Sequence, residues 1–246
     1  MGLFIIGNTI AGVAYGWENW TLRVILITFI IVAIIFLIFY LHREKSYNKG
    51  ATPGNLRKYE EELKRYEKTI ESNPNDAKAW YGKGVALVKL GKHEEALKCY
   101  EKAIEINPND AKAWYGKGVV LANLGKYEEA LKCYEKTIES NPDHANAWYN
   151  KGAALANLGK HKEALKCLEK AIEINPNHAE AWYGKGVALG KLGKHEEALK
   201  CYEKAIEINP NFAEAWYGKG VALKSSERTT EAQKCFVEAK KLGFGG

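Results

Sequence analysis

The stretch AKAWYGKGVALVKLGKHEEALKCYEKAIEINPND, residues 77–110, decides the fold because it recurs almost unchanged along the chain. Five copies of 34 residues run from residue 77 to residue 246. Trp80 and Cys99 have an equivalent in every copy, and the Asn-Pro pair that ends at Pro74 returns four times at the same step. A fixed period of this length is typical of stacked supersecondary units, none of which can bury its apolar face alone.

Each copy carries the pattern of two short helices. Apolar and small residues follow Trp80 at steps of three and four, which is the spacing of one helical stripe. Gly91 comes directly after this stripe, where a residue in the left-handed region commonly ends a helix. A second stripe follows and should end before Pro108, because the residue before a proline disfavours the helical conformation. Asn109 and Asp110 are then placed to cap the first helix of the next copy.

The side chains at fixed positions of each copy resemble the pattern of the tetratricopeptide repeat. In the first copy these residues are Trp80, Lys83, Gly84, Leu87, Ala96, Tyr100, Ala103 and Pro108. Lys83 stands where the family usually has leucine, and Tyr100 where it usually has phenylalanine, but both keep an apolar body. The resemblance implies an all-α fold, an α-solenoid of helix–turn–helix units. It places one repeat in each of residues 77–110, 111–144, 145–178, 179–212 and 213–246.

Both ends of the array differ from its middle. Residues 47–50 and residues 149–152 share the letters YNKG, which indicates an earlier, decayed copy. Only its second helix should survive, as a half repeat at residues 56–76 that caps the stack, after a basic connector at residues 42–55. Within that connector, Pro53 and Gly54 are expected to break any helix. In the last copy, Ser226 and Gln233 replace leucines, as expected where a terminal unit faces water.

Residues 24–41, VILITFIIVAIIFLIFYL, form an uncharged apolar run. A helix of this length measures about 27 Å, enough to cross the hydrocarbon core of a bilayer. Arg43, Lys45 and Lys49 follow the run and only Arg23 precedes it, so the positive-inside rule places the repeats in the cytoplasm. We therefore predict a single-pass membrane protein with one N-terminal transmembrane helix. Residues 1–23 are then a short extracytoplasmic or interfacial segment.

Two alternatives to this anchor use the N-terminal residues differently. A cleaved signal peptide needs a basic start and a small-residue cleavage site, and neither MGLFIIGN nor HREKSYNKG supplies one. Residues 3–15 are apolar and contain several glycines, so they could lie in the outer interface or form a short first arm of a membrane hairpin. Both arrangements can leave the repeats cytoplasmic.

Nothing in the sequence points to catalysis. Each of the five cysteines holds the same place in its own copy, so stacked units would keep them about 8–10 Å apart, beyond the reach of a disulfide. Their spacing fits no zinc site, and we expect free thiols, a reducing compartment, no metal and no cofactor. No nucleophile–base set occurs, so the protein is predicted not to be an enzyme. The net charge of +6 is concentrated in residues 43–58, which argues against a nucleic-acid surface on the repeats.

The resemblance also implies a binding surface, because in this family the first helix of each pair lines a concave groove. Tyrosine and valine offer large contact areas for protein segments and should alternate there with polar residues. The predicted groove residues are Tyr81, Tyr115, Tyr149, Tyr183, Tyr217, Val85, Val119, Ala153, Val187, Val221, Lys89, Asn123, Asn150, Asn157 and Lys191.

Two uses of these tyrosines stay open: they either recognise a partner or only cover the seam between helices. If they recognise a partner, Tyr149→Ala should weaken binding by about 1–2 kcal/mol and leave the helices intact, because Trp148 and Leu155, and not Tyr149, are expected in the shared core. Co-chaperone members of the family hold a C-terminal carboxylate with lysine and asparagine, where this chain has tyrosine and valine, so that ligand is not expected. The predicted function is a membrane-anchored scaffold that binds cytoplasmic protein or peptide partners. The alternative is a structural assembly protein that self-associates through its membrane segment and an open C-terminal edge, as a homo-oligomer.

Overall fold

A computed structural model of the protein describes residues 53–245, which form eleven α-helices. In chain order these are α1 Pro53–Ser72, α2 Ala77–Lys89, α3 His93–Ile106, α4 Ala111–Asn123, α5 Tyr127–Ser140, α6 Ala145–Asn157, α7 His161–Ile174, α8 Ala179–Lys191, α9 His195–Ile208, α10 Ala213–Ser225 and α11 Thr229–Lys241. The predicted α-solenoid of helix pairs is confirmed. No helix within residues 53–245 is long and apolar enough to cross a membrane. The membrane helix predicted at residues 24–41 and the segment before it lie outside the described residues.

The surviving half repeat is longer than the sequence pattern indicated. Helix α1 begins at Pro53 and includes Gly54, so these residues start a helix and do not break one. Proline is well tolerated in the first turn of a helix, where its missing N–H has no intrahelical partner in any case. Further along α1, the Tyr66 ring lies over Gly82 of α2 and so packs the half repeat onto the first full unit.

In the first, third and fourth repeats, one large side chain of the second helix is clamped between two glycines, which fixes the spacing to the next repeat. A Cβ atom added to Gly84 would lie 2.7 Å from the Tyr100 ring, and one added to Gly116 of the next repeat would lie 2.9 Å from it. Leu168 fills the same place between Gly152 and Gly184. Each of these side chains therefore belongs to the cores of two repeats at once.

The turns follow the predicted chemistry with one exception. Gly91 and its equivalents in the next three repeats have φ between 75° and 78°, the left-handed region that glycine adopts without strain. In the last repeat Glu227 holds this place with φ of 61°. The Asp110 carboxylate accepts hydrogen bonds from the backbone N–H groups of Lys112 and Ala113, so Asp110 caps α4 as predicted.

The tryptophan of each repeat makes a hydrogen bond from its indole at the boundary with the preceding repeat, and in most repeats its ring also contacts a lysine side chain. The indole N–H of Trp80 donates a hydrogen bond to the carbonyl oxygen of Pro74 over 2.8 Å, and the four equivalents repeat this bond. Lys83 extends beside the Trp80 ring and pairs with Glu67 of α1 over 3.1 Å. The lysine that replaces the usual leucine thus adds an ion pair between repeats.

The direction of curvature follows from which helices touch. Each first helix contacts the first helix of the next repeat along the series α2, α4, α6, α8 and α10. Among the second helices α3, α5, α7, α9 and α11, no such contact occurs between neighbours. The layer of first helices is therefore the more closely spaced one, and it lines the inner face of the ribbon.

Candidate functional site: the inner face of the repeats

A row of tyrosines runs along the inner face, with one from each first helix. The row consists of Tyr81, Tyr115, Tyr149, Tyr183 and Tyr217, and the first four are half-buried. Tyr217 is 43% exposed, because no following helix pair covers it in the described part of the chain. Burial, as the largest cause, raises the pKa of the first four hydroxyls, so they stay protonated donors at neutral pH.

Most of these tyrosines contact a second ring, which lies at the end of the repeat and directly before the next first helix. Tyr115 lies 4.7 Å from His144, Tyr149 lies 5.0 Å from His178, and Tyr183 lies 5.1 Å from Phe212, measured between ring centroids. The partner in each case is the residue that precedes a first helix. The tyrosines therefore do seal the seam between repeats, which was one of the two uses left open by the sequence.

The third repeat adds polar contacts to this seam. The Asn150 amide donates a hydrogen bond to the Tyr115 hydroxyl over 2.9 Å, at a position where the other repeats have glycine. The buried His178 ring has one nitrogen 3.0 Å from the Glu180 carboxylate and the other 3.0 Å from the Asn146 side-chain oxygen. These contacts join α6 to its neighbours through side chains of the inner face.

The predicted groove residues divide into packing residues and exposed residues. Half-buried valines pack against the core of their own repeat, at Val85, Val119 and Val187, and Ala153 is half-buried as well. Exposed polar side chains stand beside them, at Lys89, Asn123, Asn157 and Lys191. Val221 in the last repeat is 44% exposed. The expectation that Tyr149 lies outside the core was wrong, because Tyr149 packs against the same buried cluster as Trp148.

The sequence reading missed a row of charges at the second residue of each first helix. This row changes from basic to acidic along the array: Lys78, Lys112, Asn146, Glu180 and Glu214. All five side chains are exposed. A comparison of the copies residue by residue reveals this change, whereas a search for shared positions hides it. This row of the inner face is consequently basic at its N-terminal end and acidic at its C-terminal end.

An open depression lies between the first two repeats, on the same face. Its volume is about 960 Å³. Its lining includes Tyr81, Asp76, Asp110, Lys78 and Lys112, with asparagines of the two preceding turns. At the equivalent place beside Tyr115, Tyr149 and Tyr183, a ring from the residue before the next first helix covers the tyrosine.

The cysteines lie away from the inner face tyrosines and are packed in the second helices. Cys99, Cys133, Cys167, Cys201 and Cys235 are 3–6% exposed and carry free thiols. Burial raises the pKa of these thiols, to about 11 for Cys133. Residues 53–245 contain no group of three or more His, Cys, Asp or Glu side chains that could hold a metal ion.

Fold and inner face together define a helical-repeat scaffold, a class of protein that works by binding other proteins. The family model of the tetratricopeptide repeat matches residues 77–110, 111–144, 145–178 and 179–212, and a second model of this repeat matches residues 201–234. The chain belongs to the tetratricopeptide repeat family.

Solved structures show the same architecture. YrrB, described as a TPR protein with an unusual peptide-binding site, is 31% identical, with a TM-score of 0.61 over 72% of this chain and 92% of its own. MamA from Desulfovibrio magneticus RS-1 is 28% identical, with a TM-score of 0.63 over 68% of this chain and 94% of its own. PilF from Pseudomonas aeruginosa, at 22% identity and a TM-score of 0.63 over 69% of this chain and 78% of its own, shows the fold alone. A search of curated proteins found no match.

Proposed function

We propose that this protein is a membrane-anchored scaffold that holds cytoplasmic protein segments along the inner face of its repeats. The observation that carries the proposal is the row of tyrosines on adjoining first helices, each flanked by a valine or alanine and an exposed polar side chain. Such a surface presents similar contacts at regular intervals. It suits an extended or helical segment that touches several repeats, so that modest contacts add up.

Two further observations support a protein ligand. The fold is that of a binding scaffold, and YrrB, a relative at 31% identity, is described as having a peptide-binding site. The exposed groove residues at Asn123, Asn157 and Lys191 can exchange water for partner groups without disturbing the core. The proposal assigns binding only, with no catalysis, cofactor or nucleic acid.

Site-specific photocrosslinking tests the inner face directly. Benzoylphenylalanine is introduced at Asn123, Asn157 or Lys191 on first helices, and at Lys132, Lys166 or Lys200 on second helices as matched exposed controls. We expect a discrete crosslinked protein from the first set, after irradiation in the native membrane, and none from the second. Equal crosslinking from both sets, or crosslinking from the second-helix set alone, refutes the inner face as the binding surface.

The anchor is proposed on the hydropathy and flanking charge of residues 24–41. The full chain should stay in the membrane pellet after alkaline carbonate extraction. Protease added outside intact cells should leave the repeats whole. Release into the supernatant would refute the anchor, and digestion of the repeats from outside would refute the orientation.

Self-association is the second candidate function, and one observation favours it. Tyr217, Val221 and Val237, at the C-terminal end of the array, are 43%, 44% and 45% exposed. A second copy packed there would cover them. Light scattering of the full chain in detergent should then show a mass that falls in Val237→Lys. A monomer at all concentrations, with partner crosslinking retained, favours the adaptor over the assembly protein.

A further inference from the structure

The first tyrosine of the row differs from the other four in what covers its ring. A second ring lies within 5.1 Å of each later tyrosine: His144 on Tyr115, His178 on Tyr149, Phe212 on Tyr183 and Phe244 on Tyr217. The place equivalent to His144 is held beside Tyr81 by Asp110, whose side chain is small and has no ring. The depression of about 960 Å³ opens at this point, and we refer to it as the Tyr81 pocket.

The charges of the Tyr81 pocket differ in how firmly they are held. One oxygen of the Asp110 carboxylate accepts hydrogen bonds from the N–H groups of Lys112 over 2.9 Å and of Ala113 over 3.4 Å. This leaves its other oxygen without a polar partner in the part of the chain that the structure describes. The side chains of Lys78 and Lys112 are exposed at the rim and make no ion pair within residues 53–245. The fixed charge beside the tyrosine is therefore negative, and the positive charges are on flexible stems.

We propose that the Tyr81 pocket binds the guanidinium group of an arginine side chain in a partner segment. The later repeats show that a planar group fits against the equivalent tyrosine at a centroid distance near 5 Å. A guanidinium is planar, packs on aromatic rings and pairs with a carboxylate through parallel N–H groups. An anionic group would meet the fixed Asp110 carboxylate, and a neutral ring would leave the free carboxylate oxygen unpaired.

This assignment deepens the proposed function, because a segment held on the inner face would place its arginine at the first repeat. It makes the N-terminal end of the groove specific, because at each remaining tyrosine the place of the guanidinium is already taken by a ring of the chain itself. Asp110→His copies the arrangement at the next turn, where the His144 ring both caps α6 and covers Tyr115. The new histidine ring should therefore fill the Tyr81 pocket, as the His144 ring fills the equivalent place beside Tyr115.

The test is a titration of the purified full chain, in detergent, with Nα-acetyl-arginine amide and with Nα-acetyl-phenylalanine amide. Saturation-transfer NMR measures both Kd values. We expect the arginine probe to bind more tightly than the phenylalanine probe. Asp110→Asn, which keeps a good capping residue, should weaken the arginine probe about fivefold. Asp110→His should remove binding of both probes, and Asp143→Asn, an exposed residue of the next turn, should change neither Kd.

Three results would overturn the assignment. They are equal binding of the two probes, an unchanged Kd in Asp110→Asn, and retention of the arginine probe by Asp110→His. Circular dichroism of each variant establishes that a lost signal does not come from lost helix. Photocrosslinking from Asn157 without binding of the arginine probe keeps the proposed function and rejects the Tyr81 pocket. Probe binding without crosslinking keeps the pocket and rejects the extended groove.

Discussion

The indole N–H of Trp148 lies 2.8 Å from the carbonyl oxygen of Pro142, six residues earlier, and donates a hydrogen bond to it. This bond ties the turn that ends the second repeat to the first helix of the third. Because the same bond occurs five times, the tryptophan orients each turn as well as filling space.

Trp148→Phe should therefore lower the free energy of unfolding by about 1–3 kcal/mol, through the lost hydrogen bond and the smaller ring. Urea denaturation followed by circular dichroism measures the change. Tyr127→Phe is the control, because the Tyr127 hydroxyl makes no hydrogen bond within the described residues and its loss should be close to neutral. A Trp148→Phe cost no larger than that of the control would show that the bond contributes nothing.

Two glycines one turn apart in α8 should respond to alanine in opposite directions. A Cβ at Gly186 would lie 2.7 Å from the Tyr202 ring, so Gly186→Ala should destabilise the protein by about 1–3 kcal/mol. At Gly190 the nearest side-chain atom would be 3.9 Å away, and Gly190→Ala should stabilise the helix by about 0.5–1 kcal/mol. Thermal melts of both variants compare them directly, and a shift of the same sign in the two would contradict the clamp.

Glu227 carries the strain that glycine avoids in the other turns. With φ of 61°, it sits in a region that costs an ordinary residue about 1–2 kcal/mol. Glu227→Gly should raise the free energy of unfolding by about 1 kcal/mol, after allowance for the greater freedom of glycine in the unfolded chain. The reverse change, Gly193→Ala, should lower it. Denaturant titration of the pair checks both signs.

The Cys133 thiol makes stability depend on pH in the alkaline range. Burial raises its pKa from an ordinary value of 9.0 to about 11, although the positive charge of Lys117 lowers the pKa in part. An acid with a raised folded-state pKa favours folding while it is protonated, so this contribution is present below pH 9 and is lost as the pH rises toward 11. The difference in unfolding free energy between wild type and Cys133→Ala should therefore shrink over that interval. A difference that stays constant there would show that the thiol does not titrate with the fold.

Tyr149 has a structural role beside the recognition role that we propose for the inner face, which changes what its removal should do. Because the ring packs against the buried cluster around Leu155 and contacts His178, Tyr149→Ala should cost about 1–3 kcal/mol of stability. Asn157→Ala, at an exposed position of the same helix, should leave the melting temperature almost unchanged. If Tyr149→Ala also leaves it unchanged, the seam contacts are energetically unimportant.

The repeat pattern predicted most of the fold, because every helix pair depends on residues that recur at one step. Trp80, Gly91 and Pro108 were enough to place two helices and a left-handed turn in each unit, and the structure has them there. The start of α1 was misplaced, because Pro53 both prevents a preceding helical turn and favours a helix that begins with it.

The contacts on the inner face were harder to predict, because they depend on residues that differ from one copy to the next. Asp110, His144, His178 and Phe212 occupy equivalent places at the ends of their repeats, and only the structure shows that the last three cover the tyrosine of the first helix before them. Tyr149 was placed at the surface by its helical phase alone. The position of a residue in the helical period predicts which side of the helix it lies on. It does not predict how much of that side neighbouring residues cover.

The clamp in which one side chain is held by two glycines also bears on how such a chain can change length. Gly184 and Gly218 occupy equivalent places, so deletion of residues 179–212 would bring Leu168 against Gly218 and restore the same junction. Insertion of a whole unit at this boundary would likewise keep a glycine against the clamped side chain. Units with interchangeable junctions can be lost or duplicated as whole repeats, with no compensating substitution needed at the new boundary. The length of the array is thus open to natural variation in whole repeats.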